Sequence, residues 1–167
     1  MLRFRARQLS AAVTTAAMAM TVTGAFALTA QAAPAPKAES KAKVLNWLAH
    51  KHSDSMPHKL RKGGDWTSYA YLYDIKKGKV GKKIGDATAH CSAVEVTPHS
   101  VIAQCHSVLR TDHGSITVSG TVDYRGHGPY GGDAAITGGT GKYEDAEGQV
   151  EAVFHGDYAK LRISLDD

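Results

Sequence analysis

From Trp66 onward, the chain alternates polar and apolar residues in short runs that are separated by turn signals. Residues 68–74 show this most clearly, because three tyrosines alternate with small or apolar residues, as they do along a β-strand. No long helical pattern follows. Further strands are predicted near 83–96, 101–110, 115–124, 133–138, 147–155 and 158–165. This succession of short strands indicates an all-β fold, either a closed antiparallel barrel or a sandwich.

The first 32 residues have the layout of a secretory signal peptide. Three arginines precede an apolar run over 9–28, and Ala30-Gln31-Ala32 offers the small-x-small pattern for cleavage. We expect cleavage after Ala32 or Ala33 and a secreted, extracellular protein. A transmembrane anchor is the weaker alternative, because alanine and threonine are poor membrane formers and no charged stop-transfer flank follows. Without a twin-arginine pair, export in the unfolded state is favoured, and no cofactor is expected.

Residues 33–64 form a basic arm in front of the strands. Val44, Leu45, Trp47 and Leu48 have helical spacing, which predicts a short amphipathic helix over about 40–51. Such a helix can lie on a membrane surface or bind a partner. We favour a solvated arm that docks Trp47 onto the domain or stays disordered, and we expect no stable membrane insertion after cleavage.

The net charge of +4 is unevenly distributed along the chain. The signal segment contributes +3, residues 33–87 carry +7, and residues 88–167 carry −6. We therefore expect the basic arm to dock on the acidic part of its own barrel or on a neighbouring subunit. Nucleic acid is not expected as a partner, because the arm lacks arginine clusters and interleaved aromatic residues.

The only two cysteines lie on neighbouring predicted strands. A three-residue loop over 97–99 pairs residues whose numbers sum to 196, so Cys91 faces Cys105. In an oxidising compartment this pair is expected to form a disulfide. His90 then faces His106, but alternation turns each histidine to the face opposite its neighbouring cysteine. Four ligands do not converge, so we predict a surface histidine pair and no metal site.

Residues 135–143 hold three glycines in four positions and superficially resemble a phosphate-binding loop. Ile136 stands where that motif needs its first glycine, and Tyr143 follows the lysine in place of serine or threonine. No helix-forming run comes next. We therefore exclude an ATP site and predict a sharp corner between strands.

An ordered series of short blocks resembles the allene oxide cyclase-like barrel superfamily, which includes the plant dirigent proteins. The blocks are Leu72-Tyr73-Asp74, Lys83-Ile84-Gly85, Cys91, GSITVSG at 114–120, AITGGTGKY at 135–143 and GQV at 148–150. The resemblance covers about residues 65–165 and implies an eight-stranded antiparallel barrel with a central cavity over 65–167. It also implies a homo-oligomer, since plant members are often trimers.

The resemblance suggests Asp74 as a catalytic candidate. The plant cyclase, which this chain resembles, has a Glu on its first strand, an Asn two residues later, and then Ser-Pro. This chain has Asp74, Lys76 and Lys77-Gly78-Lys79 at those places. Asp74 would promote C–O ionisation, or act as general acid or base if apolar walls raise its pKa.

Alternation around an inward Asp74 assigns further residues to the cavity. The same alternation places Tyr69, Tyr71 and Tyr73 on the outer face of the barrel, where the arm or another subunit would cover them. A pocket cysteine of the plant enzyme resembles Cys91. The candidate ligand-binding residues are Ala70, Leu72, Asp74, Ala93 and Glu95. A set near the strand ends is a candidate lining for the barrel mouth, although ordinary surface roles are favoured for its members: Arg110, Asp123, Tyr124 and Arg125.

Three functions fit these expectations. The first is a secreted dirigent-like or lipocalin-like protein that binds a small, largely apolar or unsaturated molecule. The second is a cofactor-independent cyclase or isomerase, for which export is unfavourable because a biosynthetic enzyme belongs beside its cytoplasmic pathway. The third is an extracellular structural or interaction module with a packed interior.

Overall fold

The computed structural model describes residues 43–125 and 129–166. The proposed signal peptide, its cleavage site and the first ten residues of the arm lie outside these residues. Within the described part of the chain, no helix is long and apolar enough to cross a membrane. The strands are β1 Lys43–Asp54, β2 Asp65–Lys76, β3 Lys79–Val96, β4 Val101–Thr111, β5 Gly114–Tyr124, β6 Tyr130–Gly139, β7 Glu147–His155 and β8 Tyr158–Asp166.

The eight strands form one closed antiparallel barrel in which each strand pairs with the next in sequence. Pairing of β1 with β8 closes the barrel and leaves no free sheet edge. The predicted all-β class and the closed eight-stranded barrel are thus confirmed. A short 3-10 helix, Gly141–Tyr143, lies between β6 and β7.

The helix predicted over about 40–51 is wrong where the structure describes it. Lys43–Asp54 is a strand, β1, which pairs with β2 on one side and β8 on the other. Leu45, Trp47 and Ala49 are also two residues apart, so on a strand they share one face and can point into the barrel, just as they can share one side of a helix. The need to close the barrel decides between these patterns. The barrel therefore begins at Lys43, 22 residues before the expected boundary at residue 65.

The predicted register of the β3–β4 hairpin is confirmed, although its loop differs. Cys91 faces Cys105 and His90 faces His106. The connection has four residues, not three, because Val96 pairs with Val101. A register shift between Ala93 and Glu95 compensates for the extra residue, as a β-bulge does.

One half of the barrel interior is tightly packed. Its fully buried large side chains are Leu72, Ile116 and Ile163. Trp47 and Tyr143 close this end in an edge-to-face contact, with ring centroids 6.3 Å apart. We call this half the packed half.

The glycine-rich segment closes the packed half, as its predicted corner suggested. Gly141 has a φ of +60°, which favours glycine. A Cβ at Gly139 would collide with the carbonyl oxygen of Tyr143. The sharp turn carries the Tyr143 side chain into the barrel, so these glycines serve the fold.

Candidate functional site

The other half of the barrel holds a cavity of about 260 Å³, which we call the open-end cavity. Twelve of the 32 residues that line it are small and face inward: Ala49, Ser68, Ala70, Ala87, Ala89, Ala103, Ser107, Gly120, Gly132, Ala134, Ala152 and Ala159. Small side chains leave the centre of an eight-stranded barrel empty, whereas larger ones would fill it. The volume lies just below the roughly 300–1,000 Å³ usual for small-molecule sites.

Three aromatic rings form one wall of the open-end cavity. Tyr130 on β6 stacks on Phe154 of the neighbouring strand, with centroids 4.8 Å apart and planes 6° from parallel. Tyr124 on β5 meets Tyr130 at 4.5 Å and 66°. Burial raises the pKa of the Tyr130 hydroxyl to about 12, so this group is a neutral hydrogen-bond donor at ordinary pH.

A lysine between two carboxylates stands at the mouth of the cavity. The Lys51 Nζ lies 2.9 Å from Asp54 Oδ2 and 3.0 Å from Asp157 Oδ1. These hydrogen bonds raise the pKa of Lys51, and the bond to Lys51 lowers the pKa of Asp54. The Lys51 backbone N–H also donates to the Asp157 carbonyl at 2.7 Å, which ties β1 to the β7–β8 turn. Lys51 is therefore a fixed ammonium and not a free amine nucleophile.

The predicted disulfide is present and forms part of the cavity wall. Cys91 and Cys105 are bonded, with Cα atoms 4.1 Å apart. Trp66 pairs with Cys91 across β2 and β3 and lines the same cavity. Trp66, Cys91, Ala93 and Ala103 form a small buried cluster that supports this wall from the side of the β3–β4 turn.

Asp74 lies at the packed end and does not line the open-end cavity. It pairs in register with Trp47, and its carboxylate is 2.9 Å from the Lys76 ammonium. The hydrogen bond from Lys76 is the main cause of its lowered pKa. The condition under which Asp74 would act as a general acid, a raised pKa, is therefore not met.

The remaining predicted ligand residues are divided between several environments. Ala70 lines the open-end cavity, whereas Leu72 is part of the packed half. Ala93 is buried beside Trp66, and Glu95 is exposed and pairs with Lys62 at 3.0 Å.

The residues considered for the barrel mouth also separate. Tyr124 lines the cavity. Arg110 pairs with Asp86 at 2.7 Å, and Arg125 pairs with Asp123 at 2.6 Å, so both arginines are held in local ion pairs.

The histidine pair lies in a broad groove of about 730 Å³ on the outer face of the barrel. Ten of the fifteen residues that line this groove are serine, threonine or histidine, and the groove is more open to solvent than the inner cavity. Within residues 43–125 and 129–166, no three His, Cys, Asp or Glu side chains are grouped so that they could hold a metal ion. We therefore take the inner cavity as the candidate site.

The outward tyrosines are partly covered by neighbouring side chains of the same barrel. The rings of Tyr69 and Tyr71 are 5.6 Å apart, and His52 lies 5.0 Å from Tyr71. Lys83 Nζ sits 3.6 Å from the centre of the Tyr71 ring. His52 lies in the segment predicted as the arm, which here is β1, so that segment supplies part of the cover.

Several cavity residues were missed by sequence reasoning. The helical spacing puts Lys51 in the predicted helix, and Asp157 falls between the strands predicted over 147–155 and 158–165. Tyr130 and Phe154 alternate with small residues on β6 and β7, which is the signal that could have placed them inside. Their partners on neighbouring strands became known only from the closed barrel.

A closed antiparallel barrel with one packed half and one hollow half belongs to the class of barrels that can enclose a small molecule. Residues 52–162 match the family model described as allene oxide cyclase barrel like domain, and the chain belongs to that family. A solved structure of a pyocyanin demethylase has the same fold, with 21% sequence identity and a TM-score of 0.57 over 74% of this chain and 100% of that one. No curated protein sequence matches the chain significantly.

Proposed function

We propose that this protein is exported and binds a small, flat, largely apolar molecule in the open-end cavity. The observation that carries the proposal is the contrast within one barrel. Large side chains fill one half, while in the other half many alanine, serine and glycine residues lie opposite one aromatic wall and leave about 260 Å³. A purely structural barrel would gain stability by filling that space, since an empty apolar volume costs packing energy.

The aromatic wall favours a flat ligand. Tyr130 and Phe154 are nearly parallel, and Tyr124 stands against them at a steep angle, so the wall presents both a ring face and ring edges. Aromatic rings prefer offset-stacked or edge-to-face contacts. A planar unsaturated molecule could meet the wall in either way, whereas a bulky saturated one could not. Export is supported by the composition of residues 1–32.

The first experiment asks whether the secreted protein carries a ligand. Native mass spectrometry of protein purified from culture medium should show an additional mass that is lost on unfolding. The matched variants are Ala134→Leu, which adds three carbon atoms inside the cavity, and Ala135→Leu, which adds them to an exposed position on the same strand. The additional mass should disappear from the first variant and persist in the second. Equal ligand occupancy in both variants would contradict the proposal.

A second candidate function is chemical conversion of the bound molecule. It is supported by the solved relative, whose name describes an enzyme, on the same fold. The polar groups that such a ligand would meet in the lining include the Tyr130 hydroxyl, the Lys51 ammonium and the hydroxyls of Ser68 and Ser107, whereas Asp74 lies outside it. Incubation of an identified ligand with the wild-type protein and with Tyr130→Phe distinguishes conversion from binding. Turnover that the variant loses would support an enzyme, whereas an unchanged ligand would leave binding as the function.

A further inference from the structure

We infer that the open-end cavity selects flat aromatic molecules that carry a positive charge. This inference rests on the proposed function, because it specifies the ligand class of the same cavity. Its basis is an aromatic wall that lies beside charged lining residues with a net negative charge.

The charged side chains that line the cavity near its mouth sum to a negative charge. Lys51, Asp54 and Asp157 are mutually paired and together carry −1 at neutral pH. Among the residues that the structure describes, the lining contains one more charged residue, Asp133, which alternates with inward Gly132 and Ala134 and so lies on the outward side of β6; we leave it out of the count. Two ion pairs outside the lining, Arg125 with Asp123 and Lys62 with Glu95, are each neutral, and Lys59 and Arg61 of the β1–β2 connection do not line the cavity.

Lys51 is poorly suited to bind an anionic ligand. Its ammonium already donates to Asp54 and Asp157, at 2.9 Å and 3.0 Å. A ligand carboxylate would have to displace one of these carboxylates and would then lie beside the other. Like charges at such distances repel, so an anionic group is disfavoured at this mouth.

The aromatic wall adds attraction for a cation. The faces of aromatic rings carry negative potential and attract cations that lie within about 6 Å of the ring centre. Tyr124, Tyr130 and Phe154 line the same cavity as the charged trio. A delocalised aromatic cation satisfies both features, since its plane stacks on the wall while its charge faces the carboxylates.

The test compares three quinoline probes of similar size. The probes are N-methylquinolinium as the cation, 4-methylquinoline at pH 8 as the neutral molecule, and quinoline-4-carboxylate as the anion. Trp66 lines the cavity, so quenching of its fluorescence reports binding, and the loss of that signal in Trp66→Phe locates the probe. The cation should bind roughly 3- to 30-fold more tightly than the neutral probe, with the anion weakest.

Two mouth variants should change this preference in opposite directions. Asp157→Asn removes a carboxylate charge and should reduce the preference for the cation, whereas Lys51→Gln exposes the second charge and should increase it. Glu151→Gln makes the same charge change on the outer face, where Glu151 pairs with Arg162, and should have no effect. Salt at 0.5 M should weaken binding of the cation more than binding of the neutral probe.

The outcomes separate this inference from the proposed function. Equal binding of the cation and the neutral probe, or tighter binding of the anion, would overturn the charge preference and leave ligand binding intact. The same conclusion would follow if Asp157→Asn and Glu151→Gln behaved alike. If none of the three probes quenched Trp66 at millimolar concentration, both proposals would fail.

Discussion

The half-buried hydroxyl of Tyr130 should make the stability of the barrel depend on alkaline pH. Burial raises its pKa from 10.0 to about 12, with smaller contributions from Tyr124 and Asp54, and Lys51 opposes the rise. The folded state thus favours the neutral phenol, by about 3 kcal/mol for a shift of this size. This stabilisation is complete below pH 10 and is lost as the pH rises through 12, because the unfolded chain releases the proton first.

Tyr130→Phe removes the titrating group and keeps the ring stacked on Phe154. The free energy of unfolding should therefore fall less steeply for the variant than for the wild type between pH 9 and pH 12. The difference between the two proteins should change by up to about 3 kcal/mol across that range. Urea unfolding at a series of pH values, followed by tryptophan fluorescence, measures this difference.

Tyrosinate absorbance near 295 nm gives an independent reading of the same ionisation. One ionisation that occurs at higher pH than the others should be present in the folded wild type and missing from Tyr130→Phe. Parallel stability curves for the two proteins, together with identical absorbance titrations, would refute the reasoning. Tyr130 would then have to be exposed to water in solution, and the aromatic wall of the cavity would lose its central ring.

Three other expectations concern the fold itself. Cys91→Ser with Cys105→Ser should cost about 3 kcal/mol by the chain-entropy estimate for a loop of this length, and a reductant should destabilise the wild type but not the double variant in urea. Leu72→Ala should cost about 2–5 kcal/mol, because that side chain is fully buried, and an unchanged urea midpoint would contradict the packing described. A chain starting at residue 43 should show a cooperative thermal transition by circular dichroism, and one starting at residue 65 should not, since it lacks β1.

The sequence pattern was sufficient for most strands because alternation is a local signal. Seven of the eight strands, β2 to β8, were predicted near their observed positions, and the Cys91–Cys105 pairing was correct. The pairing was correct although the predicted loop was one residue too short, because a bulge near Val94 accommodates the extra residue. Local patterns therefore determined the strand faces well, while the turn geometry needed the structure.

Barrel closure and position along the barrel axis could not be predicted locally. β1 was misassigned because Leu45 and Trp47 suit either a helix or a strand, and only its two neighbours β2 and β8 decide the matter. Asp74 and Ala70 share a face, but four residues span about 13 Å along a strand. That distance separates the open-end cavity from the packed half, so two residues on the same face have different environments.

The division of the barrel into two halves also explains how it can maintain a cavity. Leu72, Ile116 and Ile163 are fully buried in the packed half, while the disulfide links two strands of the hollow half. The packed half can therefore supply stability that the small residues around the cavity do not. Substitutions in the packed half should lower the free energy of unfolding first, whereas inward substitutions such as Ala134→Leu should lower ligand occupancy first. A barrel whose cavity residues were essential for stability would reverse that order, and comparing urea midpoints with occupancy in the same variants distinguishes the two cases.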